Sequence, residues 1–325
     1  MLEVHPQTDN PSPALAGPGF AAAARRAFLA TRPPFFVASA MPVAIGTAWA
    51  SAAYHRFDGM LFGLALAASV LAHAAANVYN DVGDDLIGAD AGNTQRIYPY
   101  TGGSRFIQTG LLSRAQMTRL ALGLAAAAML LGVMLAALRG PGVIVLGMIG
   151  LGLGLLYSLP GAQLSARGIG EAAVAVAFGA LPVLGAVWLQ TGTIDSGAAL
   201  ICVPVCAWAA AILIINEVPD LEADLRAGKL TLVVRWGVRG ARWIYWGLTI
   251  LALSASCAAI LQRALPLWYA LAAFVLAGLG LKATLGISTD PESRPRLKRS
   301  IELTLVIHAL GCAALIASVL LKPIA

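Results

Sequence analysis

Eight of the chain's 16 acidic residues fall in two short segments. One is Asn77-Val-Tyr-Asn80-Asp81-Val-Gly-Asp84-Asp85-Leu-Ile-Gly-Ala-Asp90; the other is Asn216-Glu217-Val-Pro-Asp220-Leu-Glu222-Ala-Asp224. Each closes a long apolar run. Carboxylates at the edge of a membrane are costly unless a partner offsets them. A divalent metal bridging to a polyanionic substrate is such a partner. Residues three, four and seven apart share a helix face. Asn77, Asp81 and Asp84 therefore align, with Asn80 beside them, and Asn216, Asp220 and Asp224 align at four-residue spacing. Two facing stripes of oxygens suit Mg2+, which takes carboxylate, water and phosphate oxygens, with a diphosphate supplying the remainder. Asp81, Asp84, Asp220 and Asp224 are the expected metal ligands, with Asn77, Asn80, Asn216 and Asp90 in support. The plainer alternative is a pair of solvated helix ends. Acids at a helix C-terminus oppose its dipole, however, and here that arrangement occurs twice.

Basic, glycine-containing segments follow both clusters. After the first comes Tyr100-Thr-Gly-Gly103-Ser104-Arg105, where paired glycines let backbone amides approach an anion and Arg105 offers a bidentate fork. Taken alone, Gly-Gly is an ordinary turn. After the second comes Arg226-Ala-Gly-Lys229, whose ammonium is a phosphate ligand by type. Tyr157 offers a ring face to a cation, or is an interfacial aromatic. His73, one turn before Asn77 on the same face, is expected to pack within the membrane, with contact to a substrate as the alternative. Glu171 is expected to serve its own helix dipole. Asp195, Asp290 and Glu292 are expected to be solvated.

The elements that position these groups are membrane helices. The chain has 325 residues, 59% hydrophobic and 12% charged, with a mean hydropathy of +0.78. A soluble domain carries about 25% charged residues. Apolar stretches of membrane-spanning length occur at 34–54, 60–80, 115–138, 142–158, 170–190, 198–216, 242–261, 266–286 and 301–321. The fold class expected is an all-α polytopic membrane protein with nine transmembrane helices. With that count, 18 of the 22 basic residues lie on one side. That bias makes the N-terminus and both acidic clusters cytoplasmic and puts the C-terminus on the far side. The net charge of +6 follows this topology and is not a nucleic-acid signature. The segment 288–299 is expected at anionic lipid headgroups. Cys202, Cys206, Cys257 and Cys312 lie in apolar runs and read as packing residues, not a disulfide framework. Residues 1–24, with Pro, Asp, Gln and Asn before any apolar run and no cleavable signal, are expected as a flexible tail, and 25–325 as one domain.

These motifs resemble the UbiA-type intramembrane aromatic prenyltransferases. The likeness rests on Asn80-Asp81-x-x-Asp84 with Asp90 and on Asp220-x-x-x-Asp224. It extends to Thr101-Gly-Gly-Ser-Arg105, Gln108-x-Gly110-Leu-Leu-Ser113, Tyr157-Ser-Leu-Pro160, Gly168-x-Gly170-Glu171 and Gly228-Lys229-x-Thr231. Within the superfamily, the pattern is most similar to the 1,4-dihydroxy-2-naphthoate prenyltransferases of menaquinone biosynthesis. Gly88, not an acid, stands four residues after Asp84. The resemblance implies nine helices around a central cavity in an inner (cytoplasmic) membrane. It also implies Mg2+ held by both acidic motifs, an isoprenyl diphosphate donor and an aromatic acceptor. Arg105 and Lys229 would then stabilise the leaving diphosphate, Tyr157 the allylic cation, and Gly103, Ser104 and His73 would contact substrate. Two alternatives stay open on the residues alone. One is a superfamily enzyme with another ring, such as 4-hydroxybenzoate. The other is an ion-coupled transporter, since intramembrane acids also form ion pathways.

Overall fold

The computed structural model describes Leu15 and residues 17–321. Most of the expected tail, and Lys322 at the other end, lie outside the described residues. Residues 20–24, assigned above to the tail, instead begin α1 (Phe20–Ala30). Ten helices follow: α2 (Val37–Tyr54), α3 (Gly59–Leu86), α4 (Arg114–Arg139), α5 (Gly142–Ser158), α6 (Gly170–Thr191), α7 (Ser196–Glu217), α8 (Leu221–Arg226), α9 (Leu232–Leu261), α10 (Tyr269–Thr284) and α11 (Arg294–Leu320). No strand occurs among the described residues.

Polar side chains set the helix starts. Asp58 accepts from the Met60 and Leu61 amides to open α3. Ser113 and Gln116 form a capping box on α4, and Thr231 accepts from the Val234 amide on α9. Each satisfies amides that a helix N-terminus leaves without intrahelical partners. Asp195 does more than the solvated role expected of it. It caps α7 through the Ala198 amide and accepts from Trp49 Nε1 (2.8 Å) and Tyr54 Oη (2.6 Å), tying α2 to α7.

Seven helical segments are long and apolar enough to cross a membrane, and α5 and α10 are shorter apolar helices. The chain is a multi-pass membrane protein. Many large apolar side chains are exposed, as on α4, where Leu122, Met129, Leu130 and Val133 face outward. A soluble monomer does not expose such a continuous apolar surface. The helices pack in a closed circuit from α2 round to α11, which returns against α2. Helix α7 is the most enclosed: 72% of its apolar window is buried, against 17% for α4. Close approach depends on small residues. A methyl at Gly179 of α6 would lie 2.6 Å from the Cys206 backbone of α7. The four cysteines are free.

Two features differ from the sequence expectation. Helix α9 begins ten residues earlier than 242, with a break at Gly237 (φ 66°). The loop before α11 is not directed only at lipid. Arg294 donates to Gln95 Oε1 (3.0 Å) and to the Arg96 carbonyl, joining that loop to the long α3–α4 connection. That connection, residues 87–113, forms a lid over one end of the bundle. It is held by apolar anchors: Ile97 packs with Ile214, Ile215 and Val218, and Phe106 with Val78, Val82 and Met117. Burying a side chain of that size stabilises by about 1.5–3 kcal/mol, so the lid is fastened at two separate places.

Candidate active site

Helix α3 has 28 residues, or about 42 Å at 1.5 Å per residue, against a hydrocarbon core of about 30 Å. Its last two turns therefore project beyond the apolar layer, carrying Asn80, Asp81 and Asp84, with Asn77 at the boundary. The second cluster is not one continuous stripe. Helix α7 stops at Glu217, a turn covers 218–220, and Asp224 belongs to the separate α8. Pro219 is the physical reason: it lacks an amide hydrogen and its ring clashes with the carbonyl four residues back.

The two clusters meet at a cavity of about 190 Å3. Its polar end is lined by Asn77, Asn80, Asp84, Asp90, Asn216 and Asp220, and also by Glu217, Asp224, Arg32 and Lys229. Apolar walls lead away from it, through Phe35, Leu153, Phe178, Ile212 and Leu213. Tyr157, Gly103 and His73 also line it. His73 is held by Ser39 Oγ (3.1 Å) and stacked edge-on with Phe36 and Phe178, so it both packs and borders the space. Asn77 donates to the Thr31 carbonyl and Asn80 to Ser158 Oγ, which orients both amides.

The Gly-Gly segment does bring amides to anions, but those anions are the protein's own. The Gly102 amide donates to Asp220 Oδ2 (3.1 Å) and the Ser104 amide to Asp81 Oδ2 (3.0 Å). The lid thus clips the two clusters together. Gly102 and Gly103 have φ of 70° and 72°, where a side chain is strained, and a Cβ on Gly103 would lie 2.4 Å from Asp90 Oδ2. Gly103→Ala should cost about 1–2 kcal/mol in backbone conformation alone. It should also displace Asp90 and lower activity at least ~10-fold, equivalent to about 1.4 kcal/mol on the activation barrier. Thermal unfolding and turnover measured together check this, and a variant unchanged in both contradicts it.

Two expected ligands are placed differently. Asp81 is 2% exposed and not on the cavity wall; it pairs with Arg32 Nη2 at 3.0 Å. Arg105, expected on the diphosphate, donates to the Asp90 carbonyl and does not line the cavity. Arg32 takes that place on the wall. Arg32 is one of the 18 basic residues that the sequence counts only toward the topology bias, and it stands directly before the span Pro33–Tyr54. Asn93, which donates to Asp220 Oδ1 (2.6 Å), was also missed. Glu171 stands in the first turn of α6, where a carboxylate complements the helix dipole, and its Oε1 also accepts the Leu232 amide (2.7 Å) at the start of α9.

Lys229 sits between the clusters, with Nζ 3.1 Å from Asp84 Oδ2 and 3.7 Å from Asp224 Oδ1. Burial works against its charge, but Asp84 and Asp224 outweigh it and hold the ammonium well above its ordinary range. Arg32 is likewise raised, burial being outweighed by Asp81, Asp90 and Asp84. With the ammonium between them, no three acidic, His or Cys side chains converge into a ready-made metal cage among the described residues. The donor set nevertheless fits a hard cation. Five carboxylates line the cavity against the two cations Arg32 and Lys229. Asp84 Oδ1, Asp90 Oδ2 and Asn216 Oδ1 are buried without a hydrogen-bond partner. Buried acceptors of this kind need a donor or a cation.

Burial raises Asp90, Asp220 and Asp224, the last to about 7 despite Lys229 nearby. A raised carboxyl holds its proton in the fold, so its contribution to stability is present below its unfolded pKa and lost as pH rises through about 7. The same proton opposes a metal. Affinity for Mg2+ should tighten roughly 10-fold per pH unit below 7, with proton release, and level off above. Calorimetric titration in buffers of different ionisation enthalpy measures both. An affinity independent of pH contradicts the assignment.

Apolar walls leading to a mouth of carboxylates and cations define a membrane-embedded site for an amphiphile with a charged head. The chain belongs to the UbiA prenyltransferase family, whose family model matches residues 39–317. It is 32% identical over 279 residues to a 1,4-dihydroxy-2-naphthoate octaprenyltransferase of Mycobacterium tuberculosis, covering 85% of this chain and 91% of that one. The fold is similar to the apo structure of a UbiA homolog from Aeropyrum pernix K1, with TM-score 0.66 and 18% identity over 86% of this chain and 97% of that one. It is also similar to a UbiA homolog from Archaeoglobus fulgidus bound to DMAPP and Mg2+, with TM-score 0.61 and 17% identity over 89% and 98%. The chain is a prenyltransferase.

Proposed function

We propose that the chain transfers an isoprenyl group from its diphosphate to 1,4-dihydroxy-2-naphthoate, with loss of the ring carboxyl, giving a demethylmenaquinol, the reduced form of demethylmenaquinone. The observation that carries this is a single cavity where both acidic clusters, Arg32 and Lys229 meet at the head of an apolar passage. The acceptor follows the name of the mycobacterial relative, and the metal follows the archaeal homolog bound to DMAPP and Mg2+. Asp84, Asp220 and Asp224 would hold Mg2+, with Asp90 in support and Asp81 fixing Arg32 and the Ser104 amide. Bound there, Mg2+ would offset charge on the leaving diphosphate. Lys229 and Arg32 complement the same charge from the protein. Arg105 keeps the lid in place through Asp90. Asn77, Asn80 and Asn216 orient the head group, and Gly103 and Ser104 shape the lid beside it. Tyr157 and His73 border the reacting carbon, where Tyr157 can present its ring face to an allylic cation. The apolar walls exclude water from that cation.

The same reading takes residues 25–325 as one domain of nine spans, with α5 and α10 crossing as the two shorter ones. The basic loops and the site are then cytoplasmic and the C-terminus lies on the opposite side. Labelled isoprenyl diphosphate offered with a panel of aromatic acceptors, with and without Mg2+, tests the proposal. Product is expected with the dihydroxynaphthoate and metal. Preferential conversion of 4-hydroxybenzoate or another ring reassigns the acceptor.

A further inference from the structure

Beside the cavity stands an acidic pair that the proposed metal ligands leave out. Glu217 ends α7 and Glu171 stands in the first turn of α6. They are 7% and 4% exposed and lie against each other. Glu171 Oε1 is occupied by the Leu232 amide, but Oε2 of Glu171 and Oε2 of Glu217 have no hydrogen-bond partner. Neither residue forms an ion pair among the described residues. Glu217 alone of the two lines the cavity, as do Asn216, Leu213 and Tyr157.

Sequence register sharpens the contrast. Asn80-Asp81-x-x-Asp84 and Asn216-Glu217-x-x-Asp220 share one spacing. In the first copy the second acid, Asp81, is taken by Arg32 and the Ser104 amide, behind the wall. In the second copy Glu217 faces the cavity with no cation of its own. Paired acids given such different surroundings are suited to different tasks. A buried acceptor facing a cavity is completed by a ligand that donates a proton, and the ring hydroxyl of an aromatic acceptor is such a donor.

We propose that Glu217, positioned by Glu171, takes the hydroxyl proton of the aromatic acceptor. This rests on the prenyl-transfer reading above. Glu171 Oε1 is held by the Leu232 amide, whereas Glu217 stands on the cavity wall with an unpartnered carboxylate oxygen, so Glu217 supplies the accepting oxygen. The ring O–H proton moves to that oxygen and its electron pair stays on the ring. The adjacent carbon forms the new C–C bond as the allylic C–O bond breaks, its electron pair leaving with diphosphate. The ring carboxylate departs as carbon dioxide and returns its bonding pair to the ring. The ring oxygen then recovers its proton from Glu217, so no net proton is consumed.

The test uses the full-length protein, a non-cleavable isoprenyl thiodiphosphate with Mg2+, and hydroxylated arenes graded in hydroxyl acidity. Glu217→Gln is expected to bind the analogue within ~2-fold of wild type, which also reports folding, and to lose ~100-fold in kcat. The loss should shrink as the acceptor hydroxyl becomes more acidic. Glu171→Gln should lose ~10-fold in kcat, with the same dependence on acceptor acidity, as befits a positioning residue. Analogue binding weakened as much as turnover would assign Glu217 to the diphosphate site and overturn the proposal. So would an equal loss across all acceptors, or unchanged turnover. A wild-type protein that binds the analogue but prenylates no hydroxylated arene overturns the functional reading and this inference with it. That failure is distinguishable because it precedes any substitution.

Discussion

Asp220→Ala is expected to reduce turnover by at least ~10^3-fold, the scale of removing a preorganised electrostatic element from a reaction centre, while the helical bundle persists. Asp220 faces the cavity at the break between α7 and α8, and it accepts from Asn93 Nδ2 and the Gly102 amide. Its loss removes a metal ligand of the proposed site. It also frees two lid donors, so the lid loses its tie to the second cluster. Asp220→Asn separates these effects: its amide oxygen can keep one lid bond but carries no charge. Asn should therefore unfold near the wild-type temperature and still lose most activity. Kinetics with Mg2+ titration, beside thermal unfolding, make the comparison. Wild-type-like turnover in either variant would remove Asp220 from the site.

Lys229→Met should have the largest effect on the metal-free protein. Its ammonium stands between Asp84 and Asp224, all three largely buried. Removing one partner of a buried ion pair costs about 3–5 kcal/mol, because the remaining charge is left uncompensated. Protonation of Asp224, whose pKa is already raised to about 7, relieves part of this at neutral pH. The signature is a loss of stability that Mg2+ partly restores, since a bound divalent cation replaces the missing charge. Turnover should stay low in either condition, because the diphosphate loses a protein cation. Adding Asp224→Asn should recover stability but not activity. An unfolding temperature and diphosphate KM both equal to wild type would show that Lys229 is a bystander.

The membrane helices were legible in the sequence because a continuous apolar run determines a helix locally. The end of α5 at Ser158 and the start of α6 at Gly170 fall where hydropathy places them. The acids were legible too, since charge inside apolar sequence is conspicuous. Three-dimensional partners were less so. Spacing suggested a straight stripe from Asn216 to Asp224, and Pro219, present in that segment, breaks it. Arg32 reaches Asp81 from 49 positions away, and Asn93 reaches Asp220 across 127. No local pattern encodes either contact. Gly102 and Gly103 could be read as a loop approaching an anion, but only the packed lid shows those anions to be aspartates. Arg105 has the right chemistry for phosphate, yet its place in the lid turns it to a backbone carbonyl.

The central claim is that the two acidic clusters are halves of one metal–diphosphate site. Equilibrium binding of a non-cleavable isoprenyl thiodiphosphate to the purified full-length protein tests it most directly, in wild type, Asp84→Ala and Asp220→Ala, with Mg2+ and with chelator. Binding should require Mg2+ in wild type and be lost in both variants, although Asp84 lies on α3 and Asp220 in the turn after α7. Metal-independent binding, or binding that survives loss of either acid, would contradict it.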